Sequence, residues 1–491
     1  MAGQSSKPLS TDRRGFVAAS AGLLAALAVP RLGSAEAQEP DEPFAWSFRS
    51  RPDLAPPTIT VETAAPTVAP GYMFLAPFQG PGQHGPLIVD DAGRPVWFKP
   101  LESELAHNFR VQKLGGQPVL TWWEGKAVNG FYEGECVIAD GSYRIVNRLA
   151  GANGLHPEVH EFVITSRDTA LISANDFVPA DLSAYGGPAN GTMVEGVVLE
   201  IDISSGEVLL EWHSLHHIAP DESYVAADAA TVWDYLHLNS IGVDQDDNLL
   251  VSCRHTWAVY KLHRESGEII WRLGGKNNDF QLGPGASFAY QHDARGHPGG
   301  VLSIFDDGAY STTVSVESIT RAILLVLDVD AMTAELAQAF PNPRGSLSWA
   351  LGNMQLQEHG GPFVSWGTTP EITEFAPDGS VVFDAQFTGG AISYRGFRDV
   401  WVGSPAEPPA VFTSGNADGT LEVCMSWNGA TKVSHWQVLG GSDPSHLHVL
   451  RTVPRAGFET VVQLPAPVES VGAAALDTDG NVLGRSPTRS I

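Results

Sequence analysis

Val259-Tyr260-Lys261-Leu262, a turn at Gly267 and then Trp271 form the unit on which the fold of this chain is read. An apolar strand enters a Gly-centred turn, and a second strand leaves it and ends in an aromatic residue. The unit also stands at Leu87-Ile88-Val89…Gly93…Trp97, at Cys136-Val137-Ile138…Gly141…Leu149 and at Val198-Leu199…Gly206…Trp212. It returns at Leu324-Leu325-Val326…Phe340, without the glycine, and at Ile372-Thr373…Gly379…Phe387. The turns recur about every 50 to 65 residues, which is the repeat length of propeller blades. A further run, such as Leu249-Leu250-Val251-Ser252 or Phe363-Val364-Ser365-Trp366, supplies a middle strand to each unit after the first.

These repeats predict an all-β protein: a six-bladed β-propeller over residues 70–403, then a small β-sandwich of the fibronectin or immunoglobulin kind over 410–491. Ile392-Ser393-Tyr394-Arg395 follows the sixth hairpin and is expected to return to the first blade, closing the ring and leaving no edge. Ser404-Pro405-Ala406-Glu407-Pro408-Pro409 reads as a linker, and residues 38–69 as an extended lead-in.

Residues 1–37 read as a targeting segment: Arg13-Arg14 in a twin-arginine pattern, an apolar stretch from 17 to 29, and Ala35-Glu36-Ala37 as cleavage site. The expected destination is the periplasm or the exterior, and no stretch is long enough to span a bilayer. The formal charge is −27; removing four basic and two acidic leader residues takes away +2 and leaves −29. That acidity argues against nucleic acid or an anionic membrane as partner. Three scattered cysteines, Cys136, Cys253 and Cys424, suggest buried thiols rather than a disulfide framework.

One histidine stands just upstream of four hairpins: His107, His160, His237 and His292. Residues at the start of a blade's first strand point at the central channel, so four imidazoles are expected at one funnel. Arg254, at the end of the middle strand of the blade opened by His237, can reach the same end. His255, next in sequence, is expected on the opposite face of its strand. Arg272, Arg295, Arg395 and Arg398 read as struts, and Trp122, Trp123 and Tyr290 as either pocket lining or core. Imidazoles beside a guanidinium suit transfer of an anionic group, because neutral imidazole is a nucleophile and Arg presents a fork of donors to oxyanions. No clustered carboxylates or ligand spacing point to a metal, and no cofactor is expected. His213, His216 and His217 fall in a long insert and read as a solvated loop.

Trp233-Asp234-Tyr235-Leu236-His237-Leu238-Asn239-Ser240, Leu250-Val251-Ser252-Cys253-Arg254-His255, Gly267–Gly275 and Gln291-His292-Asp293-Ala294 together resemble the bacterial arylsulfotransferase family. The likeness covers most of residues 70–405, and Ser426-Trp427-Asn428-Gly429-Ala430 in the trailing module is similar as well. The resemblance implies a six-bladed propeller that moves a sulfuryl group from an aryl sulfate to a phenol without a nucleotide donor. It implies His292 as the residue transiently sulfated, His237 as a second catalytic histidine, Arg254 as holder of the sulfate and His160 as a further active-site histidine. Two other readings stay open at this point: a non-catalytic exported propeller that binds an anionic or aromatic ligand, and a hydrolase passing the group to water. Fold alone does not choose among them.

Overall fold

The computed structural model describes residues 44–358, 360–465 and 468–491, so the stretch read above as a targeting segment lies outside the described residues. Among them the structure is all-β, with three short 3₁₀ turns and no α-helix. No helix is long and apolar enough to cross a membrane.

Residues 72–399 form six sheets, each built on four antiparallel strands; Val232–Asp234 and Gln281–Leu282 add short parallel strands to the third and fifth, and Ala309–Ser311 pairs with Val314–Ser315 apart from them. The fourth, for example, runs Leu238–Val243, Leu249–Cys253, Ala258–Leu262 and Ile269–Gly274. Runs such as Leu249-Leu250-Val251 are apolar throughout because each sheet buries both faces. Leu249 and Val251 pack toward the third sheet, while Leu250 packs toward the fifth. Six apolar clusters alternate with the sheets in this way. Phe74, Phe109 and Trp122 join sheets one and two. Phe305, Met354 and Trp366 join five and six, and Met73, Leu75, Phe363 and Phe383 join six back to one.

Ile392–Asp399 pairs with Tyr72–Phe78, so the return strand does complete the first sheet, as its innermost strand. Side chains knit the inner strands: Asn239 Nδ2 donates to Gln291 O at 2.7 Å and Asn353 Nδ2 to Gly396 O at 2.9 Å. The lead-in is more structured than its composition suggests. Ile59–Ala64 adds a fifth strand to the sixth sheet by pairing with Val381–Phe387. The long insert after Phe177 lengthens a hairpin, because Thr169–Ala180 and Gly191–Asp202 stay paired throughout.

Residues 410–491 form two further sheets with a shared core that includes Trp436, Val423 and Val471. Trp427 packs at its margin. This module is docked rather than tethered. Asn428 exchanges two 2.9 Å hydrogen bonds with the backbone of Phe98, and Tyr143 Oη donates to Gly429 O at 2.7 Å. The Asn428-Gly429 pair of the resembling motif is therefore a docking element. All three cysteines are buried free thiols.

Candidate active site

His107, His160, His237 and His292 all line one cavity of about 90 Å³. Each sits on or beside an inner strand: Leu105–Leu114, Pro157–Ile164, Leu238–Val243 and His292–His297. Side chains alternate on these strands, so His160 and His292 face the cavity while Glu161 and Asp293 face away from it. The imidazoles of His160 and His237 lie 4.8 Å apart, and those of His160 and His292 6.4 Å apart.

Three of the four are held through Nδ1 by their own carboxylate. His160 is bonded to Glu158, His237 to Asp234 at 2.5 Å and His292 to Asp307 at 2.7 Å. A carboxylate on Nδ1 fixes the tautomer and leaves Nε2 free for chemistry. At His292 a second contact agrees, because the Leu351 N–H donates to Nε2 at 3.3 Å and so requires a lone pair there. Burial, then the charge of Arg254, push His292 well below its ordinary value and keep it neutral. Burial also pulls His237 down, partly opposed by Asp234. The Asp307 carboxyl is pushed up by the same burial.

Arg254 sits one layer behind this wall and does not line the cavity. Its guanidinium lies between the rings of Tyr290 and Tyr310, 5.2 and 5.1 Å from their centres. Nη2 donates to the carbonyls of Trp349 at 2.7 Å and Tyr310 at 3.1 Å, and Nη1 donates to His255 Nε2 at 3.0 Å. Nε has no partner among the described residues. His255 corrects the expectation that it faces away. The strand ends at Cys253, and in the turn that follows the two side chains meet through a hydrogen bond instead of parting to opposite faces. His255 therefore lines the cavity, 4.8 Å from His237. It donates through Nδ1 to Asp234 O at 2.7 Å, and burial holds it neutral, to about 3.

Asp234, His237 and His255 stand close enough to share a cation. The guanidinium donating into His255 Nε2 occupies the lone pair a cation would need. A second group, Asp176, Glu195 and His213, lies away from the cavity. Burial pulls His213 down, but hydrogen bonds to Glu211 and Glu195 outweigh it and raise its pKa, the signature of an ion-paired imidazolium. The insert is thus not a solvated loop: His217 stacks on Trp212 at 5.3 Å and Tyr235 bonds back to Ser214.

The sequence reading missed the three carboxylate partners and His255. Asp234 lay inside a quoted string, three residues before His237. Glu158 stands two residues before His160, and only Asp307, just past the end of the strand Val301–Asp306, carried no local signal. Trp122 and Trp123 are core residues bonded to Glu124 and Pro157 O, and Tyr290 backs Arg254. Arg295, Arg395 and Arg398 are struts, ion-paired to Glu161, Glu161 and Glu374 respectively.

The arylsulfotransferase (ASST) sequence family matches residues 110–388, more than half of the chain. No curated protein matches it. Among solved structures, a protein of unknown function from Bacteroides caccae aligns over 67% of this chain and 100% of its own, at 13% identity and a TM-score of 0.40. An inactive virginiamycin B lyase from Staphylococcus aureus, with quinupristin, aligns over 75% and 96%, at 9% identity and 0.35. The calcium-binding protein regucalcin from Agrobacterium tumefaciens aligns over 67% and 83%, at 10% identity and 0.33.

Proposed function

The chain belongs to the arylsulfotransferase family, and from that premise we propose that it transfers a sulfuryl group from an aryl sulfate to a phenol through a sulfohistidine at His292. We read the six sheets as the blades of a six-bladed propeller, the C-terminal module as a β-sandwich, and the leader as a twin-arginine signal delivering the protein to the periplasm or beyond.

One observation carries the proposal: three histidine–carboxylate pairs converge on a single cavity with Nε2 uncommitted to a side chain. A module that only bound an anion would gain more from protonated imidazoles than from His292 and His237, whose charged forms burial disfavours.

In the first half-reaction His292 Nε2 attacks sulfur, and the S–O(aryl) bond breaks with its electron pair on the aryl oxygen. A proton from His237 Nε2 converts the departing phenolate to phenol. Burial disfavours imidazolium in the empty pocket, but the negative charge of a bound aryl sulfate favours it. His292 keeps its Nδ1 proton, so the sulfated ring is cationic at nitrogen and faces Asp307. In the second half-reaction an acceptor phenol gives its proton to His237 as its oxygen attacks sulfur, and the N–S electron pair returns to His292. A phenol with pKa near 10 needs that base at neutral pH. Arg254 supplies positive charge to the wall through His255, where developing sulfuryl charge is stabilised in a site of low dielectric. His160, between His237 and Tyr394, is placed to orient the entering ring.

Brief incubation with 4-nitrophenyl sulfate is expected to add one sulfuryl mass to the peptide containing His292, and added phenol is expected to remove it. An adduct on another histidine moves the nucleophile. Steady release of 4-nitrophenol with no adduct at any time replaces the covalent path by direct transfer or hydrolysis.

A further inference from the structure

His107 is fully buried, and neither of its ring nitrogens has a hydrogen-bond partner among the described residues. The Tyr394 hydroxyl is in the same condition. Leaving such groups unpaired inside a protein is destabilising. A phenylalanine at either position would fill the space without that cost.

The two residues are neighbours on the wall of the active-site cavity. Their ring centres lie 5.6 Å apart at right angles, and Tyr394 stands 5.7 Å from His160. A ring lying beside Tyr394 therefore reaches the histidine cluster at one end and His107 at the other. The other rings in contact with His107 are aromatic. Phe78 meets His107 edge-on at 4.7 Å, Trp123 lies at 5.7 Å and Tyr132 at 6.2 Å. His107 and Tyr394 also lie just outside the family-matched span, one before it and one after it.

We propose that His107 and Tyr394 form an aryl-recognition subsite for a ring whose far edge, para to the reacting oxygen, carries a hydrogen-bonding group such as a second hydroxyl. The assignment rests on the transferase reading for which oxygen reacts, but the subsite itself is defined by binding alone. Neutral His107 offers one donor and one acceptor, and the Tyr394 hydroxyl offers one of each. A para-hydroxyl can pair with both, whereas a methyl of the same size leaves them unpaired. Burial keeps His107 neutral, to about 3, so the subsite would select by hydrogen bonding and not by charge.

The test titrates the full chain calorimetrically with hydroquinone and with 4-methylphenol. Wild type is expected to bind hydroquinone roughly tenfold tighter, the worth of one well-made buried hydrogen bond. The ratio is expected to fall toward one in His107→Phe and to drop about threefold in Tyr394→Phe. His107→Gln, which keeps a donor and an acceptor, is expected to restore part of it and covers the case in which the phenylalanine variant fails to fold. A wild-type ratio near one, or an unchanged ratio in folded His107→Phe and Tyr394→Phe, overturns the subsite. Turnover of 4-nitrophenyl sulfate is measured in parallel. A preserved ratio without turnover overturns the transferase reading and leaves the subsite standing.

Discussion

Two clusters of ionisable side chains share the middle of the molecule, one residue apart in sequence, and they are built on opposite principles. On one side of the inner strands, Glu161 is fully buried and accepts hydrogen bonds from Arg110 at 2.9 Å, Arg395 at 3.1 Å, Asn108 at 3.2 Å and Arg295. The charge of three arginines thereby gathers on this carboxylate, with Asp293 sharing Arg295 at 2.6 Å, and Arg395 spends its remaining Nη2 on Asn239 O at 2.9 Å. On the other side, His160, His237 and His292 each spend one nitrogen on a carboxylate, and no side chain claims the other. The difference teaches how to separate a tie from a site. Both hold buried charge, but the tie has nearly exhausted its hydrogen-bonding capacity and the site has kept some.

The sharpest break of this comparison is at the tie. Glu161→Gln leaves Arg395, Arg295 and Arg110 with their common countercharge gone, and an uncompensated buried charge costs about 3–5 kcal/mol. Chemical denaturation is expected to show a loss of that order, with activity per folded molecule much less affected. A loss below about 0.5 kcal/mol would mean that the cluster is not what closes the inner strands. The pH dependence has a fixed sign. Burial raises Glu161, but Arg295, Arg395 and Arg110 outweigh it and hold the carboxyl well below its ordinary 4.5. Its contribution is therefore present above about pH 4.5 and is lost as pH falls toward the folded value. His107 and His255, both held to about 3, act in the same direction from about pH 6.5 downward, because the unfolded chain takes up protons that the folded chain refuses. Asp306 and Asp399, raised by burial to about 6, and Asp307, raised well above its ordinary value, act in the opposite sense, so the readout is the difference between the two proteins: Glu161→Gln is expected to lose stability less steeply than wild type only below about pH 4.5.

Arg254 tests whether the comparison divides charges correctly, since it belongs to the site by resemblance and looks like a tie by its partners. Lysine keeps the charge but not the planar fork that serves Trp349 O, Tyr310 O and His255 together. Turnover in Arg254→Lys is expected to fall on the order of 10², the scale for losing a preorganised charge-stabilising donor. The melting temperature reads the other half. A large fall in melting with turnover within a few-fold per folded molecule would class Arg254 with Glu161.

Much of this was legible in the chain. The repeated strand–turn–strand unit located the outer hairpin of each of the six sheets, and the shared phase of His107, His160, His237 and His292 located the cavity. That worked because a strand's two-residue period converts position in a repeat directly into a facing direction. The same rule failed at His255, since it holds only while the strand lasts, and this one stops at Cys253. Asp307 was invisible for another reason: it pairs with His292 from 15 residues along the chain, past the end of the next strand, and no local spacing encodes that contact. The lead-in strand Ile59–Ala64 was hidden by its prolines and threonines, because an outermost strand needs only backbone partners on one side.

The smallest effect, and the finest division within the site, concerns His237. Its Nδ1 is committed to Asp234, and its Nε2 is the proposed carrier of the leaving group's proton. Asparagine in its place removes that carrier, so the loss is expected to scale with leaving-group basicity. A 4-nitrophenolate departs readily without a proton, whereas an unsubstituted phenolate near pKa 10 does not. His237→Asn is therefore expected to lose roughly tenfold more activity on phenyl sulfate than on 4-nitrophenyl sulfate, a ratio typical of part of a general-acid contribution. Parallel kinetics with the two donors read this ratio directly, and it is insensitive to how much protein is folded. Equal losses on both would strip His237 of proton transfer and leave it as a positioning residue. The proton would then pass to His160, whose ring lies 4.8 Å away and whose Nδ1 is held by Glu158 in the same manner.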